Sequence, residues 1–323
     1  MPDYIKLKMK ERTIPIEIEG LHELLRRIPA TDGKAKAYLL QQLARMEAGH
    51  RGEVKVDQKL MTLPMPYLHE VIPNFTTRNS YGSHYQLDTV LVTNRYVLYL
   101  EVKNIRGTIE FTTNPQQLKR TLEGKVDFMS CPLVQTKRNH QSLQYLIRQY
   151  NSKLPVFSAI VFTSSSATVI SQQHEVQIVY RRQLDHYLGK LNTLPEILDK
   201  PSFQKLVKKL KQVTQNFHPE ALVVRYNMDP AYLRTGIFCT SCGGHMVPST
   251  PSYKCSACHK ADPLSLRRTI RALFTILGPH QQVRNFKHHM ALSNKGPIIR
   301  SLKHLPTERV GTTKNSVYSL KPK

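Results

Sequence analysis

The segment Asp88 to Lys103, DTVLVTNRYVLYLEVK, places an acid at the head of one apolar run and Glu-Val-Lys at the end of the next. The pattern predicts two short strands joined at Thr93-Asn94-Arg95. Side chains alternate along a strand, so Glu101 and Lys103 share one face, while Leu98, Leu100 and Val102 point the other way, into a core. An Asp, a Glu and a Lys at one edge of a sheet suit metal-assisted phosphodiester cleavage. Carboxylate oxygens hold a hard cation such as Mg2+ or Mn2+, which polarises the phosphate and lowers the pKa of a bound water. The lysine can orient that water or offset charge on the phosphorane. The same residues would also serve as a solvated strand end that resists edge pairing. Asp88 is the hardest to read that way, because an unpaired carboxylate beside a strongly apolar strand is costly.

Other residues with suitable chemistry lie nearby in sequence. Glu53, in GHRGE, falls on or beside a helix preceding the strands and could add a third carboxylate, or be a plain surface acid. Asn104 extends the motif to EVKN, and Gly107 permits a tight turn after it. Gln135, in SCPLVQTKRNH, heads the next helix, where it could reach the same edge, cap the helix or face solvent.

The runs QLDTVLV, YLEVKNIRGTIEF, CPLVQ and PVFSAIVFTSSSATV together resemble the nuclease-related domain, NERD, which is similar in core to the PD-(D/E)XK nucleases. The resemblance covers roughly residues 40–170, and the preceding IKLKMKERTIPIEIEGLHELLRRI also resembles bacterial members. It implies an α/β fold: a restriction-endonuclease-like mixed sheet flanked by helices. By position, Glu53 matches the helix acid, Asp88 the strand acid, Glu101 and Lys103 the ExK pair, and Gln135 the glutamine of the second helix. Cys131-Pro132 stands where Asn-Pro is usual, away from the chemistry. The resemblance implies nuclease ancestry, and activity does not follow from ancestry alone.

A second group has metal-ligand spacing. Cys239-x2-Cys242 and Cys255-x2-Cys258 are separated by 12 residues. Two such knuckles can supply four thiolates to one tetrahedral Zn2+, and the module resembles a zinc ribbon. Two disulfides or a redox dithiol are the alternatives, and a reducing, cytoplasmic setting argues against both. Cys131 reads as a free thiol.

The charge names a class of partner. The 323 residues carry 47 Lys and Arg against 23 Asp and Glu, a net +24, which suits a polyanion such as nucleic acid, DNA in particular. No apolar run could span a membrane, no basic amphipathic helix has a strongly apolar face, and the first residues have no apolar secretory core, so a membrane partner is not expected. Residues 262–323 hold 12 Lys and Arg but only 2 acids. Their pattern predicts three helices and a hairpin around Gly311, a winged-helix arrangement. Arg300 and Lys303 point outward from the third helix as candidate nucleic-acid contacts. A basic bundle that binds the first domain or another protein has the same pattern.

The elements that would position these groups follow from periodicity. Residues 1–35 read as an extended arm, with Ile14, Ile16 and Ile18 alternating, and a short helix from Leu21 to Ile28. Residues 36–217 read as the nuclease-like domain. It opens with a helix carrying Tyr38, Leu39, Leu43 and Met46, which Gly49 and Gly52 break or kink. Strands and helices then alternate in the order of an α/β domain. Residues 218–236 read as a linker, 237–260 as the ribbon and 262–323 as the basic domain. The expectation is a divalent-metal-dependent nuclease. The alternative is a non-catalytic nucleic-acid-binding or regulatory protein on a nuclease-derived scaffold.

Overall fold

The structure is a computed structural model, and it describes residues 11–65, 67–78, 82–170, 175–214, 218–250, 252–312 and 316–321. The chain divides into two compact units. One contains residues 1–13 and 48–215; the other contains 14–47 and 216–323. Helix α1 (Ile16–Arg27) belongs to the second unit, and α2 (Gly33–Thr62) passes from the second unit to the first after Glu47.

Residues 1–10 of the expected arm lie outside the described residues, and from Ile16 the chain is helix rather than extended. The isoleucine alternation there is overruled by the longer period of Ile18, Leu21 and Leu24, all buried. Pro15 precedes the first turn, Glu17 and Glu19 lie in it, and Arg26 and Arg27 lie in the last, each charge at the helix end that favours it. Gly49 and Gly52 do not break α2. Gly52 instead permits a close approach: a Cβ there would fall 2.7 Å from Cβ of Asn104, just past the ExK strand.

The first unit is built on a mixed sheet. β1 (His69–Arg78), β2 (His84–Thr93) and β3 (Val97–Lys103) are antiparallel neighbours. A smaller sheet follows from β4 (Gly107–Phe111) and the hairpin of β5 (Gln117–Leu122) and β6 (Lys125–Ser130). Gly107 has φ +98°, and a Cβ there would collide with the Thr121 carbonyl oxygen, which is why the turn after the ExK strand needs glycine. Helix α3 (Pro132–Arg148) begins at Pro132, three residues before the expected start, because proline suits the first helical position. β7 (Val156–Phe162) then returns parallel to β3, β8 (Ala167–Ile170) pairs with β4, and β9 (Gln177–Tyr180) closes the main sheet in the order β1-β2-β3-β7-β9. Helices α4 (Leu184–Leu191) and α5 (Lys200–Val213) complete the unit.

Both faces of this sheet are covered. Val97 and Tyr99 of β3 join Leu143 and Ile147 of α3 and Phe203 and Leu206 of α5 in one core. Leu98, Leu100 and Val102 join Val56 and Leu60 of α2 and Leu184 and Leu188 of α4 in another. β3 is therefore a central, doubly covered strand. The face that bears Glu101 and Lys103 is apolar until its last turn.

In the second unit the expected linker forms α6 (Leu222–Arg225), whose Leu222 and Val223 are buried with Leu21, Leu24 and Phe274 in one core. An apolar stretch of this kind cannot stay a solvated connection without exposing its side chains. β10 (Met246–Ser249) and β11 (Ser252–Cys255) form the ribbon hairpin. The chain then runs α7 (Ser265–Leu277), β12 (His280–Gln282), α8 (Val283–His289), α9 (Gly296–Lys303), β13 (Thr307–Val310) and β14 (Val317–Leu320). The strands are ordered β12-β14-β13, with all pairs antiparallel. Among the described residues no helix is long and apolar enough to cross a membrane.

Candidate nuclease and metal sites

The pairing of Thr89 with Leu100 puts Asp88 opposite Glu101, so the two carboxylates share the face on which Lys103 also lies. Asp88 sits within β2, where the strand turns from exposed to buried, rather than at its start. Its Oδ2 accepts from the Val102 N–H at 2.8 Å. Glu101 is buried and held at both oxygens: Lys103 Nζ donates to Oε1 at 2.6 Å, and the Tyr99 hydroxyl donates to Oε2. Asn139 of α3 in turn donates to Tyr99 Oη at 3.2 Å.

Glu53 reaches the group from α2, which is tied to the end of β3 by a 2.7 Å bond from Asn104 Nδ2 to the Ala48 carbonyl. Glu53 Oε2 accepts from Arg12 Nη1 at 2.9 Å. Arg12 is almost fully buried and every guanidinium nitrogen is engaged. Nε and Nη2 grip Asp57 at 2.6 and 3.0 Å, Nη1 also reaches Asn74 Oδ1 at 2.6 Å, and Nη2 reaches the Asp88 carbonyl at 2.9 Å and Thr89 Oγ1 at 2.8 Å.

The electrostatics follow from this crowding. Burial, then the neighbouring Glu101 and Glu53, hold the Asp88 carboxyl well above the usual range, against the opposing Val102 N–H and Lys103. Burial and the adjacent Asp57 and Glu101 also raise Glu53, although Arg12 pulls it down. Burial alone would lower Lys103, but Glu101, Asp88 and Glu53 outweigh it and hold the ammonium above its ordinary value. Asp88, Glu101, Glu53 and Asp57 face Arg12 and Lys103: four carboxylates, two cations and a formal charge of −2 when all are ionised. Carboxylate oxygens are the ligands a hard divalent cation takes; among the described residues, the group whose ligand atoms already lie together is the four ribbon cysteines.

Gln135 of α3 lies one turn before Asn139 and lines a groove with Gln117, Met129 and Arg138. The residue of α3 that is hydrogen-bonded into the acid cluster is Asn139, through Tyr99. Sequence reading did not find Arg12, Asp57, Tyr99 or Asn139. Asp57 follows Glu53 by one helical turn and Tyr99 precedes Glu101 by two strand positions, so both spacings carried a signal. No local spacing marks Arg12.

The four ribbon cysteines offer sulfurs that all lie within 4.8 Å of one another. Cys239 and Cys258 are 3.7 Å apart and Cys242 and Cys255 3.4 Å. A tetrahedron with Zn–S bonds of about 2.3 Å has edges of about 3.8 Å. The backbone N–H groups of Ser241 and Cys258 donate to Cys239 and Cys255, which favours the thiolate. The cluster fits a zinc ribbon and could hold Zn2+.

Residues 48–163 match the family model of the nuclease-related domain, NERD. The match spans Glu53, Asp88, Glu101, Lys103 and Gln135 and leaves out Arg12 and the whole of the second unit's C-terminal part. No curated protein and no solved structure matches the chain.

Proposed function

We propose that the chain is a divalent-metal-dependent nuclease acting on DNA phosphodiester bonds. The observation that supports this most is Asp88 beside Glu101 with the Lys103 ammonium 2.6 Å from Glu101, in an acid cluster that is short of positive charge. Asp88 and Glu101 would hold Mg2+ or Mn2+, with Glu53 assisting. Bound there, the cation would supply Lewis acidity to phosphate and water. Lys103 orients the attacking water and offers positive charge to the phosphate oxygen. Tyr99 keeps Glu101 fixed through Oε2. Gln135 supports the metal or phosphate from α3.

The other parts of the reading concern binding. Cys239, Cys242, Cys255 and Cys258 hold one Zn2+, which folds the ribbon. Elemental analysis is expected to find one zinc per chain, and none in freshly prepared protein would remove the ribbon from the reading. Arg300 and Lys303, exposed on α9, contact DNA phosphates or the groove. Thiolate chemistry of this kind belongs in a reducing compartment, the cytoplasm.

The test is nicking of supercoiled plasmid, and cleavage of single strands, with Mg2+ or Mn2+, beside the Lys103→Ala variant. Metal-dependent cleavage that the variant lacks is the expected result. Gel retardation without nicking by either protein would favour the non-catalytic binding role.

A further inference from the structure

The most unusual group near the acid cluster is Arg12, because it comes from outside the residues that match the nuclease-related domain. It lies 41 positions before Glu53 and 77 before Thr89, yet its guanidinium is buried among them. A buried arginine can be a packing device. This one contacts five side chains or carbonyls, and four of the five belong to β2 or to the turn of α2 that carries Glu53. Its two strongest partners are different carboxylates one helical turn apart. Asp57 is gripped through two nitrogens, and Glu53 through one oxygen only, Oε2.

That asymmetry matters. Asp57 is held in a fork on both oxygens, which is how a carboxylate is anchored. Glu53 is held on one, which orients the side chain and leaves Oε1 for a cation. Because Arg12 also bonds the Asp88 carbonyl and Thr89, it ties the turn of α2 that bears Glu53 to the strand that bears Asp88.

We infer that Arg12 is a positioning residue for this site: it fixes Glu53 against Asp88 so that both can serve one divalent cation. The inference rests on the nuclease reading above. It further implies that the matched domain is incomplete as a catalytic unit without the segment that contains Arg12.

The test separates geometry from charge. Arg12→Lys keeps the positive charge but replaces a planar fork with a single nitrogen, so it cannot hold Asp57, Glu53 and Thr89 together. Mn2+ binding to the full chain is measured by calorimetry for wild type, Arg12→Lys, Glu53→Gln and the double variant, with thermal melting as the folding control. The expected result is that Arg12→Lys weakens Mn2+ binding about tenfold, and that it adds nothing once Glu53 is already Gln, because it acts through Glu53. If Arg12→Lys does not fold, Arg12→Gln with Asp57→Asn removes the buried charge and its main partner together, and the same loss and the same dependence on Glu53 are expected. Wild-type Mn2+ affinity in the arginine variants, or an equal further loss in the Glu53→Gln background, overturns the positioning role. Wild-type protein that binds no Mn2+ overturns the nuclease reading itself.

Discussion

Each unit of this protein contains a buried arginine, and the two are used differently. Arg12 meets two carboxylates of the acid cluster, and they outweigh its burial, so its pKa stands above the ordinary value. Arg27 meets one carboxylate, Glu23, and three main-chain carbonyls, of Arg234, Gly236 and His289. It also lies 5.2 Å from the Phe238 ring. Burial there outweighs Glu23, and its pKa is lowered. An arginine spent on carbonyls joins segments of chain, here α1, the approach to the ribbon and the end of α8. An arginine spent on acids beside an ExK strand sets where those acids stand. Burial alone does not tell the two apart; the partners do.

The contrast is broken most severely at Arg27. Arg27→Met removes the partner of Oε1 of the buried Glu23, leaving it Arg26 at 3.3 Å on Oε2, and takes the donors from three main-chain carbonyls, so it is expected to destabilise the second unit by about 3–5 kcal/mol. Mn2+ binding by the first unit should stay at the wild-type level. Chemical denaturation measures the first and calorimetry the second. A loss of metal binding as large as that of Arg12→Lys would erase the distinction.

A smaller effect comes from His289, whose carbonyl accepts from Arg27. Burial first, then the charges of His288 and Arg27, push its imidazole down to about 4 from 6.5. The unfolded chain therefore takes up a proton before the folded one does. Its contribution to stability is complete above pH 6.5 and is lost as pH falls toward 4, by up to about 3 kcal/mol. Melting curves across this window should be flatter for His289→Gln than for wild type. Identical curves would show that His289 is not held neutral.

The smallest expected effect lies on the surface. Arg300→Ala with Lys303→Ala should reduce the slope of log K against log salt by about one to two, with similar weakening on all duplex sequences. An unchanged slope would mean that α9 does not face the phosphates.

The two regions also differ in how far they could be read from sequence. The ribbon cysteines and the paired strands on either side of Gly311 depend on short spacings, and each stands where its spacing placed it. The Glu101–Lys103 alternation was equally legible, as was the core face of Leu98, Leu100 and Val102. Arg12 was not, because its partners lie 41 to 77 positions away, in α2, β1 and β2. The helix at Ile16 differs from the expected strand because isoleucines two apart satisfy a strand as well as a helix, and only the longer period through Ile18, Leu21 and Leu24 decides. Residues 218–236 read as a linker in the sequence, whereas Leu222 and Val223 within them are buried in α6.

The central claim is that Asp88 and Glu101 form a cation site for phosphodiester cleavage. The most direct measurement is the plasmid cleavage rate against Mn2+ concentration for wild type and Asp88→Asn, at protein concentrations giving equal DNA retardation in chelator. The account expects saturable, Mn2+-dependent cleavage by wild type. In Asp88→Asn the rate should fall by on the order of 10³-fold, corresponding to the several kcal/mol that metal stabilisation supplies. Equal cleavage by the two proteins, or wild-type cleavage that persists in chelator, would contradict it.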